Sequence, residues 1–131
     1  METAIEIEVR PTEIDVMGHV NNAKYLEYME WGREDWYNQA ELPFDRFTEM
    51  NIGTVTVNIN INYRKEALLG QHLTIKTRPL KVGRTSYVLE HIMENEQGER
   101  VADAEVVSVT IDLKTRKSVP VPEELARYFS L

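Results

Sequence analysis

An eleven-residue segment near the N terminus holds most of the side chains that could take part in chemistry. A carboxylate, an imidazole and two amides lie within it, and Asp15 precedes Asn22 by seven residues. The backbone N–H groups that begin a helix lack intrahelical partners and carry partial positive charge. A carboxylate beside such an N–H combines a base or nucleophile with an oxyanion hole, as attack on an acyl carbon requires. In order, the residues are Asp15-Val16-Met17-Gly18-His19-Val20-Asn21-Asn22-Ala23-Lys24-Tyr25.

The same residues also have structural explanations. Asn21 or Asn22 can cap the start of a helix. Asp15 can accept hydrogen bonds from its own loop, and His19 can be a partly buried imidazole with its hydrogen bonds satisfied. The spacing alone leaves both explanations open.

The pattern after Asn22 predicts the element that positions this segment. Apolar or small residues recur at helical spacing and charged residues fall on the opposite side, which is typical of an amphipathic helix of about four turns or more. Arg33 lies in the apolar stripe against the pattern, so it needs a partner or a path to solvent. Leu42-Pro43 ends the helix, and residues 43–53 are expected to connect it to the next element. The stripe consists of Tyr25, Met29, Gly32, Trp36 and Ala40.

Alternation with a period of two predicts five strands. They cover Ile5 to Val9, residues 55–64, residues 73–77 (stopped by Pro79 and followed by a turn or bulge at 81–84), residues 85–94 and residues 100–112. A hairpin turn at 95–99 and a short helix at 123–128 complete the pattern. In the strand at 55–64, one face is predicted to hold Val55, Val57, Ile59, Ile61 and Tyr63, and the other Thr56, Asn58, Asn60, Asn62 and Arg64.

The order of these elements predicts an α+β fold in which one long helix packs on a five-stranded antiparallel sheet. Helices do not alternate with strands, so a doubly wound fold is not favoured. The chain has 131 residues and a mass of 15.2 kDa, which favours a single domain over 1–131. The Asn face of the strand at 55–64 would be solvated or paired with a second copy of the chain.

Composition excludes several classes of protein and of site. The chain has no cysteine, so disulfides, thiolate zinc sites and a cysteine nucleophile are excluded. The net charge of −7 argues against nucleic acid. The N terminus does not resemble a secretory signal, and the chain contains no apolar run long enough to cross a membrane, so we expect a cytoplasmic protein. His19, His72 and His91 are scattered, so we expect no metal, and neither His72 nor His91 is given a role.

With these residues identified, the chain resembles the hotdog-fold thioesterases of the 4-hydroxybenzoyl-CoA thioesterase type. The resemblance is carried by Asp15-x-x-Gly18-x-Val20 and Tyr25, followed by the amphipathic helix and four strands, and it covers nearly the whole chain. It implies that Asp15 acts as nucleophile or general base on a thioester carbonyl. It also implies that the backbone N–H of Asn22 receives the oxyanion.

The eleven-residue segment is also similar to the motif D-x-N-x-H-V-N-N-x-K-Y of plant acyl-ACP thioesterases, in which the Asp, the first Asn and the His are taken as catalytic. Asp15 and His19 match this motif, whereas Met17 replaces its first Asn. The resemblance therefore implies a catalytic role for Asp15 and an assisting role for His19, without the full Asp-Asn-His arrangement.

The resemblance also suggests which residues surround the substrate. Met17 and Val20 could line the acyl cavity, Gly18 and Asn21 could shape the loop, and Tyr25 is more typical of a core residue. Tyr63 matches a position by the active site, and residues near the turn at 81–86 surround the CoA arm in relatives. An exposed basic hairpin end is the alternative for that turn. The candidates there are Lys81, Arg84, Thr85 and Ser86.

These implications give a hypothesis of acyl-CoA or acyl-ACP thioester hydrolysis, without a cofactor, in a homodimer or homotetramer. Two alternatives from other classes stay open. One is a hotdog acyl-CoA dehydratase or hydratase, and the other is a non-catalytic acyl-CoA-binding domain. The identity of the acyl group and the choice between CoA and carrier protein do not follow from the sequence.

Overall fold

The computed structural model describes residues 1–129, which form a five-stranded antiparallel sheet with one long helix packed on one face. The strand order is β1-β3-β4-β5-β2, so β1 and β2 form the two edges. The predicted α+β architecture is confirmed. The elements are β1 (Thr3–Glu8), α1 (Asn22–Gln39), α2 (Phe44–Glu49), β2 (Ile52–Tyr63), β3 (His72–Val82), β4 (Ser86–Glu94), β5 (Arg100–Asp112) and α3 (Glu123–Ala126), with 3-10 turns at Pro11–Glu13 and Arg127–Phe129.

The apolar stripe of α1 builds the core. Met29 and Trp36 of the stripe and the adjacent Tyr28 are fully buried, and Gly32 allows the helix to approach the sheet closely. A Cβ atom at Gly32 would lie 2.9 Å from Thr77 Oγ1 and 3.0 Å from Ile75 Cγ2. The glycine is therefore needed for packing, which outweighs its cost of about 1 kcal/mol within a helix.

The predicted faces of β2 are wrong for its first half. The register between β2 and β5 shifts between Thr56 and Asn58, so Val57 is the extra residue of a β-bulge. A bulge of one residue exchanges the two faces of a strand. Ile59 and Ile61 therefore face α1, opposite Val106 and Ala104, whereas Val55 pairs with Val109 on the outer face.

Two boundaries also differ from expectation. Strand β3 does not stop at Pro79 but continues to Val82 through an irregularity between Pro79 and Lys81. Because β1 pairs with β3 only up to Thr77, Pro79 lies where β3 is locally an edge and a missing N–H is tolerated. The expected connection at 43–53 contains α2, a six-residue helix whose Phe47 is buried.

None of the helices in residues 1–129 is both long and apolar enough to cross a membrane.

Candidate active site

The loop before α1 folds back on itself as a small hairpin. Ile14 and Val20 form an isolated antiparallel bridge, the Asp15 N–H donates to the His19 carbonyl at 2.7 Å, and the Gly18 N–H donates to the Asp15 carbonyl at 3.0 Å. Gly18 has φ +82°, a conformation that glycine adopts without steric cost. The loop is thus an ordered support for the Asp15 side chain.

The Asp15 carboxylate is held at one of its two oxygens. Oδ1 accepts the backbone N–H of Met17 at 2.9 Å and that of His19 at 3.3 Å. None of the hydrogen bonds formed by residues 1–129 uses Oδ2. Asp15 therefore accepts hydrogen bonds from its own loop through one oxygen, as the structural explanation predicts. The same bonds orient the carboxylate, and its second oxygen has no partner among the described residues.

The start of α1 brings a backbone N–H beside this carboxylate. Asn21 is the N-cap, and its Oδ1 accepts the Ala23 N–H at 2.9 Å. No hydrogen bond in the described part of the chain involves the Asn22 N–H. Asp15 and Asn22 line one cavity of about 290 Å³, which we call the Asp15 cavity. Its other lining residues are His19, Val20, Tyr25, Tyr63, Arg64, Lys65 and Glu66.

The His19 side chain is bound by a residue that the sequence analysis missed. His19 Nε2 lies 2.7 Å from Glu66 Oε2, whereas only the backbone N–H of His19 contacts the Asp15 carboxylate. Glu66 lies three residues beyond Tyr63, the end of β2. This nearness to a predicted strand end was the only feature of the sequence that could have identified Glu66 as a site residue. A carboxylate bound to one ring nitrogen of a histidine fixes the orientation and tautomer of the ring.

Two tyrosines close the cavity beside the helix start. The Tyr63 hydroxyl donates to the Asn22 carbonyl at 3.2 Å. The rings of Tyr63 and Tyr25 meet edge to face, with centroids 5.1 Å apart. Tyr25 is buried in the core as well, and this burial raises the pKa of its hydroxyl above the usual 10.0. The arrangement ties the end of β2 to the first turn of α1.

Comparison with known proteins identifies the family of this chain. The family model of the thioesterase-like superfamily matches residues 9–129. The chain belongs to this superfamily. The predicted resemblance to hotdog-fold thioesterases is thereby confirmed, and the chain is an enzyme of the thioesterase class.

Individual relatives within the superfamily cover almost the whole of this thioesterase. Long-chain acyl-CoA thioesterase FadM of Escherichia coli strain K12 is 42% identical over 121 residues, 92% of this chain and 91% of FadM. The crystal structure of YbaW, described as a "Probable Thioesterase" from Escherichia coli, has a TM-score of 0.82 at 38% identity and covers 99% of both chains. A DHNA-CoA thioesterase from Staphylococcus aureus has a TM-score of 0.84 at 26% identity, covering 98% of this chain and 83% of that one.

Some predicted site residues of this thioesterase do not meet in the Asp15 cavity. Met17 is 73% exposed at the tip of the loop and does not line the cavity. The Lys81 to Ser86 turn lies at the other end of the sheet, because Ser86 pairs with Val109, whereas Tyr63 pairs with Ala102. Seven residues of strand separate these levels, or roughly 23 Å, so within one chain the turn and Asp15 lie far apart.

A larger cavity of about 780 Å³ lies between α1, α2 and the first half of β2. His91, to which the sequence analysis assigned no role, is fully buried beside this cavity and has two hydrogen-bond partners. Arg33 Nη1 lies 3.2 Å from His91 Nε2, and Thr77 Oγ1 lies 2.9 Å from Nδ1. Burial, assisted by the Arg33 charge, lowers the pKa of His91 to about 3. The lining residues include Arg33, Tyr37, Leu42, Phe44, Phe47, Thr54, Thr56 and Ser108.

Proposed function

We propose that residues 1–131 form one cytoplasmic catalytic domain that hydrolyses an acyl-CoA thioester to a free acid and a thiol. The observation that carries this proposal is that Asp15 and Asn22, the first residue of α1, line the same cavity. The similarity to FadM, a long-chain acyl-CoA thioesterase, supports CoA as the thiol carrier.

In this mechanism the thioester carbonyl oxygen points toward the Asn22 N–H. The positive end of the α1 dipole stabilises the negative charge that develops on that oxygen. Asp15 either adds to the carbonyl carbon and expels the CoA thiolate, leaving a mixed anhydride for water to cleave, or removes a proton from a water molecule that adds instead. In the second route the thiol leaves with the proton that Asp15 received.

His19 assists from the wall of the Asp15 cavity. In the neutral tautomer whose Nε2–H donates to the Glu66 carboxylate, the lone pair resides on Nδ1. His19 can then accept a hydrogen bond from the attacking water. Glu66 acts through His19 as a positioning residue.

The acyl group lies in a gap between α1 and a second copy of the chain. Strand β2 forms an edge of the sheet and exposes Val55, Val57 and Ile59, which favours pairing with another strand. Antiparallel pairing of two β2 edges about a two-fold axis sets the start of each β2 beside the end of the other. The larger cavity and the Lys81 to Ser86 turn of one copy then adjoin the Asp15 cavity of the other.

A thiol-release assay over short, long and aromatic acyl-CoAs, run beside Asp15→Asn, tests the proposal. We expect wild-type turnover, and we expect Asp15→Asn to lose at least about 10²–10³ in kcat while its circular dichroism and unfolding midpoint stay unchanged. Near-normal turnover by Asp15→Asn would refute the role of Asp15. Hydration of an enoyl-CoA without thiol release would identify a hydratase, and binding without either reaction would identify an acyl-CoA-binding domain.

A further inference from the structure

Glu13 is a buried acid just before the Asp15 loop, and no step of the proposed mechanism uses it. Only 9% of its surface is exposed, and no ion pair within residues 1–129 includes it. Burying a carboxylate without a cation costs free energy, which hydrogen bonds to the carboxylate must offset. Glu13 Oε1 accepts two such bonds, from the Arg10 N–H and from the Tyr28 hydroxyl, both at 2.9 Å. The second bond connects the loop to α1.

The Tyr28 end of this contact belongs to the core. Tyr28 is completely buried and packs in one cluster with Val9, Val20 and Met29. Burial, assisted by the hydrogen bond to Glu13, raises the pKa of the Tyr28 hydroxyl above the usual 10.0, so the hydroxyl keeps its proton and remains a donor. Tyr28 lies in the second turn of the helix that begins at Asn22. A bond to Tyr28 is therefore a bond to the helix whose first N–H lies at the Asp15 cavity.

The backbone of Glu13 closes the loop that carries Asp15. Its carbonyl accepts the Asn21 N–H at 2.9 Å, and the bridge between Ile14 and Val20 follows directly. Glu13 thus forms the base of the small hairpin. Within residues 1–129, the hydrogen bond from Tyr28 to Glu13 is the only one that joins residues 10–20 to α1. The other hydrogen bonds of this segment hold the hairpin together or tie it to the segment after β2.

We propose that Glu13 is a positioning residue that acts through its hydrogen bond to Tyr28. The bond sets where the Asp15 carboxylate lies relative to the Asn22 N–H. This inference rests on the proposed thioester hydrolysis, in which those two groups act on one carbonyl group. One group is on a loop and the other is on a helix, so a contact between loop and helix fixes their separation. Glu13 does not line the Asp15 cavity, and it acts on the reaction only through the loop.

The expected loss in rate follows from the precision that the reaction requires. A displacement of about 1 Å between reacting groups can cost about 10²-fold in rate. The backbone bonds of the hairpin remain when the Glu13 side chain or the Tyr28 hydroxyl is removed, so the loss should be smaller. We expect a fall of about tenfold in kcat with an unchanged KM, because the contact orients the reacting groups and binds no part of the substrate.

The test removes the two partners of the bond separately and together. Tyr28→Phe keeps the buried ring and loses only the donor, whereas Glu13→Ala loses the acceptor. Each variant should lower kcat for an acyl-CoA about tenfold without changing KM. The double variant should lose about as much as either single variant, since both substitutions remove the same contact.

Two further variants separate positioning from stability and from charge. Tyr128→Phe removes a hydroxyl that donates to the Ala40 carbonyl at 2.8 Å, at the opposite end of α1. It should lower the unfolding midpoint about as much as Tyr28→Phe and leave kcat unchanged. Glu13→Gln loses the negative charge but keeps an oxygen that can accept both hydrogen bonds, so it should recover most of the kcat that Glu13→Ala loses.

Amide hydrogen exchange measures the position of the loop without any reaction. The Asp15 and Asn21 N–H groups close the hairpin, through the His19 and Glu13 carbonyls. Both should exchange faster in Tyr28→Phe than in wild type, whereas the Val9 N–H, which donates to the Gln71 carbonyl outside the hairpin, should keep its rate. Because exchange needs no turnover, it separates failure of this contact from failure of the proposed hydrolysis.

Three results would overturn the proposal. The first is a loss of kcat in Tyr128→Phe as large as that in Tyr28→Phe, which would show that rate follows stability. The second is a kcat of Glu13→Gln as low as that of Glu13→Ala, which would make the charge responsible. The third is unchanged exchange of the two hairpin amides in Tyr28→Phe, which would show that the bond does not hold the loop.

Discussion

The two cavities at opposite ends of β2 differ in volume and in the hydrogen bonding of the polar groups around them. The Asp15 cavity is the smaller, at about 290 Å³, yet it holds a carboxylate oxygen and a helix-start N–H that the described residues do not use. The larger cavity, of about 780 Å³, adjoins the hydrogen-bonded pairs Arg33–His91 and Tyr37–Tyr87, and its wall also holds Glu30, Glu34 and Asp45. The proposed mechanism therefore rests on an unused carboxylate oxygen and an unused N–H group, and not on cavity volume.

Five residues at or beside the larger cavity are joined by hydrogen bonds, in one group of three and one pair. Arginine only donates hydrogen bonds, so Arg33 donates to Nε2 of His91, and Nδ1–H of that ring donates to Thr77 Oγ1. Tyr37 and Tyr87 likewise share a hydrogen bond of 2.5 Å between their hydroxyls, and burial raises the pKa of both. These side chains bind one another, whereas Asp15 Oδ2 and the Asn22 N–H have no hydrogen-bond partner among the described residues.

The largest expected effect comes from removing the Asn22 N–H. Proline is tolerated at the first position of a helix, where its missing N–H has no intrahelical partner. Asn21 has φ −62° and ψ 140°, which a following proline permits. We expect Asn22→Pro to reduce kcat by about 10²–10³ without destabilising the fold, as measured by thiol release and urea unfolding. Asn22→Ala keeps the N–H and should retain turnover, and equal loss in both variants would contradict an oxyanion role for the backbone.

The network beside the larger cavity should control stability at low pH. The folded-state pKa of His91 is about 3, against 6.5 ordinarily, so between these values the unfolded chain binds a proton that the folded chain does not. Unfolding free energy therefore falls as pH falls through this window, by up to about 1.4 kcal/mol per pH unit. Urea unfolding between pH 6.5 and 3.5 should show a shallower slope for His91→Gln than for wild type. Identical slopes would mean that His91 is not the group responsible.

A smaller stability effect is expected where α1 meets the sheet. In Gly32→Ala the new Cβ would lie 2.9 Å from Thr77 Oγ1, and rotating Thr77 away would break its bond to His91. Overpacking typically costs about 1–3 kcal/mol, which exceeds the gain of about 1 kcal/mol in helix propensity. Urea unfolding should show a net loss. The cost of Gly32→Ala should be smaller when it is measured in a Thr77→Ala background than in wild type. Strictly additive effects of the two substitutions would contradict the proposed contact.

The sequence was sufficient for elements that a local pattern defines. The helix from Asn22 and the strand at 100–112 agree with α1 and β5, since burial on one face imposes the period. The bulge at Val57 was not predictable from β2 itself, because alternation continues through it in the sequence. Only pairing with β5 shows that the strand gains a residue there.

Residues of the candidate site were likewise predictable only where a local pattern defines them. Asp15, His19 and Asn22 lie in one short segment, so their shared cavity could be predicted from a loop leading into a helix. Glu66 and His91 could not, because their partners lie far away in sequence: Glu66 contacts His19, and His91 contacts Arg33. Spacing along one segment carries no information about contacts that the sheet topology creates.

The smallest expected effect is at Asn21, where one substitution should raise stability or leave it unchanged and should lower the reaction rate. Asn21→Ala removes the N-cap bond to the Ala23 N–H and should cost about 1 kcal/mol of unfolding free energy. Asn21→Asp restores that bond and adds a charge that the α1 dipole favours, so its unfolding midpoint should equal or exceed that of wild type. The same carboxylate lies next to the N–H proposed to receive the oxyanion, so it should lower kcat. If Asn21→Asp hydrolyses acyl-CoA at the wild-type rate, negative charge does not develop at this helix start, and the assignment of the Asp15 cavity as the reactive one loses its electrostatic basis.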